Sequence, residues 1–251
     1  MLFLVWELLK NSKMGRNNYF QFKQFKIIQE KSAMKVGTDG ALLGAWVNIT
    51  GVKKVLDVGA GTGLISLMIA QRSSAKILGI EIEKNAAEEA SENVRRSPWE
   101  SRVSIENISF QDFANYKTEK FDLIISNPPF FSNSFRNEVE NRAIARHNDY
   151  LPFIELIKGA ETLLIESGSL AVILPVIPAE QFIELATSTG LNLARLTEVK
   201  PNVNKEINRV LMEFTKTVSI QKHDSLVIYN ETGSDYTEAY KQLTGDFYLK
   251  F

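Results

Sequence analysis

From residue 54 onward, short runs of Val, Ile and Leu bounded by turn residues alternate with stretches whose apolar positions recur every three or four residues. Continuous apolar runs suit strands buried on both faces, and the intervening periodicity suits helices that cover them, so the chain predicts a parallel sheet with helices on both sides. The strands fall at Lys54–Val58, Ile77–Glu81, Val103–Glu106, Phe121–Ser126 and Ser169–Leu174, and the helices at Leu64–Arg72, Asn85–Arg95, Leu151–Glu166 and Ala179–Thr187. Two more strands, Asn192–Val199 and Arg209–Thr215, joined through Lys200-Pro201-Asn202, read as an antiparallel hairpin that completes a mostly parallel, seven-stranded α/β sheet. Ahead of the sheet, residues 19–37 interleave aromatics with lysines as a β-ribbon, and Thr38 and Asp39 are placed to cap a helix running to Trp46. No repeat or low-complexity linker breaks the pattern, so residues 19–251 read as one domain.

Residues 1–18 read as an extension outside that domain. Met1–Leu9 is apolar, but it contains Glu7, has no preceding basic residue and lacks a small-residue cleavage site, so it is a poor signal peptide. Met14 is the expected natural start. No apolar run reaches the length of about 18 residues that a spanning helix needs, so a soluble protein without membrane partners is expected.

Composition narrows the chemistry. The chain has no Cys and only His147 and His223, which leaves no thiolate nucleophile, little material for a metal site and no evident Ser-His-Asp triad. Metal is therefore expected to play no part, and a cysteine-free chain suits the cytoplasm. The formal net charge is −1, but residues 1–35 carry seven Lys or Arg against two Glu, so a nucleic acid would be held by a local patch rather than by bulk charge.

The strand at 54–58 runs into Asp57-Val58-Gly59-Ala60-Gly61-Thr62-Gly63 and then a helix. Glycines at a strand-to-helix turn allow a tight bend and let backbone N–H groups approach a ligand. Leu64 stands where a dinucleotide fingerprint would place its last glycine, which disfavours NAD. The Asp-x-Gly-x-Gly-x-Gly form resembles the first motif of class I S-adenosylmethionine methyltransferases, a Rossmann-like fold. Under that resemblance Gly59, Gly61 and Gly63 cradle the cofactor, Glu81 at the next strand end accepts the ribose hydroxyls, and Asp57 orients the methionine amine. The bland alternative is a loop used only for helix–strand packing, with Glu81 a solvated strand end.

After the fourth strand comes Ser126-Asn127-Pro128-Pro129-Phe130. Each proline fixes its own φ and extends the residue before it, so the Asn127 amide and the Pro128 carbonyl are held in one geometry at the sheet edge. Such a pair can accept both N–H bonds of an exocyclic amine while Phe130 stacks on the base. A sulfonium is already a good leaving group, so positioning rather than a shifted-pKa base would carry the rate.

Asn-Pro-Pro-aromatic resembles the motif of amino-group N-methyltransferases acting on adenine, guanine or protein glutamine. Residues 32–46 (SAMKVGTDGALLGAW), Ser97-Pro98-Trp99, and Tyr236-Thr237-Glu238-Ala239-Tyr240 with Phe247-Tyr248-Leu249 are similar to the bacterial tRNA(Val) adenine N6-methyltransferase family. The resemblance covers residues 19–251 and implies S-adenosylmethionine-dependent methylation of the adenine just 3′ of the anticodon of a valine tRNA. Two departures stand out: Phe130 replaces a frequent Tyr, and Ser109 replaces the acid that contacts the cofactor's adenine amine, with Asp112 nearby. Asp39 is a further candidate for cofactor contact. For the RNA, the resemblance leaves two basic segments: the ribbon with Lys23, Lys26 and Lys35, and the insert with Arg136, Arg142 and Arg146. The competing readings are a glutamine methyltransferase of a release factor, which would carry a helical domain ahead of the sheet, and a noncatalytic RNA-binding protein of the same fold. A monomer is expected.

Overall fold

Antiparallel strands β1 (Tyr19–Gln21) and β2 (Lys26–Ile28) form the expected ribbon, and Phe22 and Phe25 stack at its turn with ring centroids 4.6 Å apart. A computed structural model describes residues 18–32, 34–129 and 151–251, so the readings placed on residues 1–17, on Phe130 and on the insert at 131–147 lie outside the described residues. Helix α1 (Thr38–Trp46) leads into β3 (Lys54–Val58), α2 (Leu64–Arg72), β4 (Lys76–Glu81), α3 (Lys84–Arg95), β5 (Val103–Asn107), α4 (Phe110–Tyr116) and β6 (Phe121–Ser126). After the insert come α5 (Phe153–Leu163), β7 (Leu164–Leu174), α6 (Val176–Ser188), β8 (Asn192–Asn202), β9 (Arg209–Thr215), β10 (Lys222–Tyr229) and α7 (Glu238–Thr244).

The main sheet has the order β10-β8-β9-β7-β6-β3-β4-β5, with β9 antiparallel to both its neighbours and every other pairing parallel. All seven strands expected from the sequence are present, and β10 adds an eighth, parallel to β8 at the edge. Alternation along each strand sends side chains to two cores. Val55, Leu123, Ile125, Ala171 and Ile173 face α1, α2, the ribbon and α7, whereas Leu56, Ile124, Leu170, Val172 and Met212 face α4, α5 and α6.

Several features differ from the sequence reading, among them the start of α6 at Val176. Strand β7 begins directly where α5 ends, at Leu164, because the apolar run Leu163-Leu164-Ile165 passes from one to the other without a turn residue. Lys200, Pro201 and Asn202 belong to β8, so the hairpin turn lies at 203–208 instead. Helices α4 and α7 were not expected, and each is started by a hydroxyl that accepts a backbone N–H, Ser109 from Asp112 and Thr237 from Tyr240. Finally, α1 is preceded by Gly37 with no side-chain cap, so neither Thr38 nor Asp39 caps it.

In an open parallel sheet a ligand sits beyond the carboxyl ends of the strands, where connections leave in opposite directions. Here that point lies between β3 and β6, which are neighbours although β4 and β5 separate them in sequence.

Candidate functional site

The glycine loop leaves β3 at Val58 and folds across the end of β4. The N–H groups of Gly59 and Ala60 both donate to the Ile80 carbonyl, at 2.9 and 3.0 Å. Gly63 closes the turn with φ +79° as the residue preceding α2, a conformation that costs an L side chain about 1–2 kcal/mol. Gly59 also has positive φ, and a Cβ built there would meet nothing within 4 Å, so the loop presents bare backbone to open space.

Glu81, at the carboxyl end of β4, is oriented by that loop. One carboxylate oxygen, Oε2, accepts the Gly61 N–H at 2.8 Å and the other, Oε1, accepts the Glu83 N–H at 2.9 Å. A carboxylate has about four lone-pair sites, so two remain for hydroxyl donors.

Asn127 follows the last residue of β6. The Ser126 hydroxyl donates to the Val58 carbonyl at 2.8 Å, so the two strand ends that bear the glycine loop and the Asn-Pro-Pro turn are tied to each other. Pro128 is buried and Asn127 half-buried. Both lie on a cavity of about 340 Å³ whose walls include Gly59, Gly61, Glu81, Ile82, Ile108, Phe110 and Gln111. A second cavity of about 390 Å³ lies alongside, walled by Lys35, Thr38, Asp39, Thr62 and Arg209. Met34, Gly59, Gly61 and Asn127 border both. The first cavity is walled mostly by apolar surface, with polar groups from Glu81, Gln111 and Asn127, as a flat ring carrying a hydroxylated sugar requires. The second brings the charged groups of Lys35, Asp39 and Arg209 to a wall that also includes Leu64 and Ile65, and the two cavities adjoin at Asn127.

Asp39 faces this second cavity and is paired with Arg209, Oδ2 to Nε 2.8 Å, which joins α1 to the start of β9. Lys35 borders the same space.

Three residues read as ligand contacts do other work. Asp57 is fully buried on the side of β3 that faces α2, where Oδ2 accepts from the Ser66 N–H at 3.0 Å and the Ser66 hydroxyl at 2.6 Å. It borders neither cavity, and Oδ1 has no hydrogen-bond partner among the described residues. Burial raises its carboxyl to about 6, against the opposing effect of the Ser66 bonds. Ser109 caps α4 through the Asp112 N–H at 3.0 Å and donates to the Asp112 carboxylate at 2.7 Å, while its neighbours Ile108, Phe110 and Gln111 form the cavity wall. Lys23 spends its ammonium on the carbonyls of Gly245 and Phe251, at 2.6 and 2.7 Å, which fastens the ribbon to the end of the chain. Lys26 lies over the Tyr19 ring, 3.9 Å from its centroid, and is not part of either cavity wall. Phe130, Arg136, Arg142 and Arg146 lie outside the described residues.

The sequence reading missed Gln111, Met34 and, above all, Glu89 and Asn93 on α3. Glu89 is buried and accepts the N–H groups of Glu30, Lys31 and Ser32 at 2.6, 2.7 and 3.0 Å. Burial alone would raise its carboxyl, but the surrounding Ser32 and backbone dipoles outweigh it and hold the group below the usual carboxylate range. Among the described residues no cluster of His, Cys, Asp or Glu is arranged to hold a metal, and no helix is long and apolar enough to cross a membrane.

Residues 32–187 match the family model described as "Methyltransferase small domain". The chain is 46% identical to a tRNA1(Val) (adenine(37)-N6)-methyltransferase of Trichodesmium erythraeum over 93% of this chain and 99% of that protein. It is 43% identical to a protein of the same name from Flavobacterium psychrophilum, over 92% and 99%. A predicted O-methyltransferase of Agrobacterium tumefaciens shares the fold with a TM-score of 0.66 at 18% identity, over 83% of this chain and 96% of that one.

Proposed function

This chain belongs to the tRNA1(Val) (adenine(37)-N6)-methyltransferase family, and on that premise we propose how its cleft methylates N6 of adenine 37 in a valine tRNA with S-adenosylmethionine as donor. The observation that carries the reading is the position of Asn127 at the junction of two cavities, one built for a nucleoside and one open to a second group.

The first cavity fits the donor. Gly59 presents bare backbone to the cavity, Glu81 keeps acceptor capacity for two ribose hydroxyls, and Ile82, Ile108 and Phe110 supply apolar surface for the adenine ring. When bound, S-adenosylmethionine would supply a methyl group whose C–S bond breaks as the N6–C bond forms, leaving a neutral thioether without prior protonation, and the methylated amine would release one proton to solvent. The chain's own task is then alignment. The Asn127 side-chain oxygen and the Pro128 carbonyl accept the two N–H bonds of the adenine amine and favour pyramidal nitrogen, while Phe130 stacks on the base. Each such neutral bond is worth about 1 kcal/mol net, whereas correct orientation can be worth on the order of 7–11 kcal/mol, so Asn127 acts chiefly by fixing geometry.

RNA contact is assigned to the basic groups around the second cavity and the insert: Lys35 at the cavity wall, Lys26 on the exposed ribbon, and Arg136, Arg142 and Arg146 just after the clamp. Residues 19–251 act as one methyltransferase domain, as a monomer in the cytoplasm where the tRNA resides.

The test is methylation of unmodified valine tRNA by purified protein with labelled donor, read by nucleoside mass spectrometry. We expect N6-methyladenine at position 37, and at least a hundredfold loss in Asn127→Ala while calorimetric donor binding persists. Absence of methylation by the natural protein, or equal activity in the variant, overturns the reading.

A further inference from the structure

We infer that Glu89 and Asn93 are positioning residues of the donor site, fastening the strap 28–32 against the glycine loop and so setting the width of the cleft. The inference rests on the donor pocket proposed above and deepens it. Between β2 and α1 the backbone belongs to no helix or strand, so its place depends on bonds from outside. Most of those bonds come from α3. Asn93 accepts the Ile28 N–H at 2.8 Å and returns its amide to the Ile28 carbonyl at 2.9 Å. One turn earlier, Glu89 gathers the three successive N–H groups of residues 30–32 on its two carboxylate oxygens. A run of aligned N–H groups is a concavity for an anion, and here the anion is a side chain of the protein.

Packing alone does not call for this arrangement. An apolar residue at position 89 would fill the space but leave the N–H groups of residues 30–32 without this acceptor. What the clasp fixes is the path of the next residues: Ser32 and Met34 form part of the first cavity's wall. The same Asn93 amide also donates to the Thr62 carbonyl at 3.0 Å, inside the glycine loop. A single amide thus joins the strap to the glycine loop.

Residues that set the width of a ligand pocket act on ligand affinity, not on the chemistry once the ligand is in place. Glu89→Gln removes one acceptor and the charge, and we expect it to raise the donor's dissociation constant and KM at least tenfold. With saturating donor, kcat and the KM for tRNA should stay within twofold of the natural protein, and Glu89→Asp should recover part of the affinity. Should Glu89→Gln prove insoluble, Asn93→Asp carries the same expectation, since it keeps the acceptor for Ile28 and loses the donor to Thr62. Donor affinity unchanged within twofold overturns the inference, as does a fall in kcat and in both affinities that merely tracks a lowered Tm. Failure of the natural protein to bind S-adenosylmethionine would overturn the donor pocket itself, and this inference with it.

Discussion

The Ser126 hydroxyl and the Val58 carbonyl are 2.8 Å apart in a buried hydrogen bond that couples the strand carrying Asn127 to the strand that enters the glycine loop. Its loss in Ser126→Ala leaves a buried carbonyl without its partner, at a cost of about 1–3 kcal/mol. For a domain of this size that lowers Tm by several degrees, at roughly 2–4 °C per kcal/mol. Because the bond aligns the clamp with the donor, kcat should fall about tenfold while donor affinity holds. Steady-state kinetics beside calorimetry checks this; unchanged kcat with a lowered Tm would make the bond purely structural.

Asp57 should make stability depend on pH in the direction opposite to an ion-paired carboxylate. Burial raises its carboxyl from 3.8 to about 6, so between those values the folded protein binds a proton that the unfolded chain does not. Stability from this group therefore grows as pH falls through 6 toward 3.8, and above 6 the buried charge costs about 3 kcal/mol by linkage. Asp57→Asn, which keeps an acceptor for Ser66, should flatten that limb. Melting curves of the two proteins from pH 7 to pH 4 should converge on acidification, and parallel curves would contradict the assignment.

Lys23 should matter to stability and not to RNA. Its ammonium is engaged by the Gly245 and Phe251 carbonyls, and its own N–H donates to the Phe247 carbonyl. Lys23→Met should lower Tm by a few degrees, since bonds made by a charged group are worth about 1.5–3 kcal/mol before solvent weakens them. The KM for tRNA should stay within twofold; a tenfold rise would return Lys23 to the RNA surface.

Where local pattern and global fold agree, the sequence could be read to the residue. Strands β3 and β6 and helix α2 begin and end where the Val/Ile runs and the flanking glycines place them. Asp57 follows the period of two: Val55 and Asp57 share a strand face, and that face packs on α2, which brings the carboxylate to Ser66. Ser109 carried a recognisable signal as well, a serine three residues ahead of an acid, which marks a helix start. Glu89 carried none. Within KNAAEEASENVR it reads as one more acid on a solvated helix face, and only the folded chain brings residues 30–32 to it. Long-range polar contacts leave no periodic trace.

The bonds that Lys23 makes span 222 and 228 residues of chain, nearly the whole protein. The ribbon is held from two directions: Asn93 bonds Ile28 and Trp99 meets Phe25 from the first half of the sheet, and Lys23 adds a fastening to residues 245–251. The wall of the cleft that follows this ribbon thus depends on contacts of high sequence separation, which form more slowly than local ones.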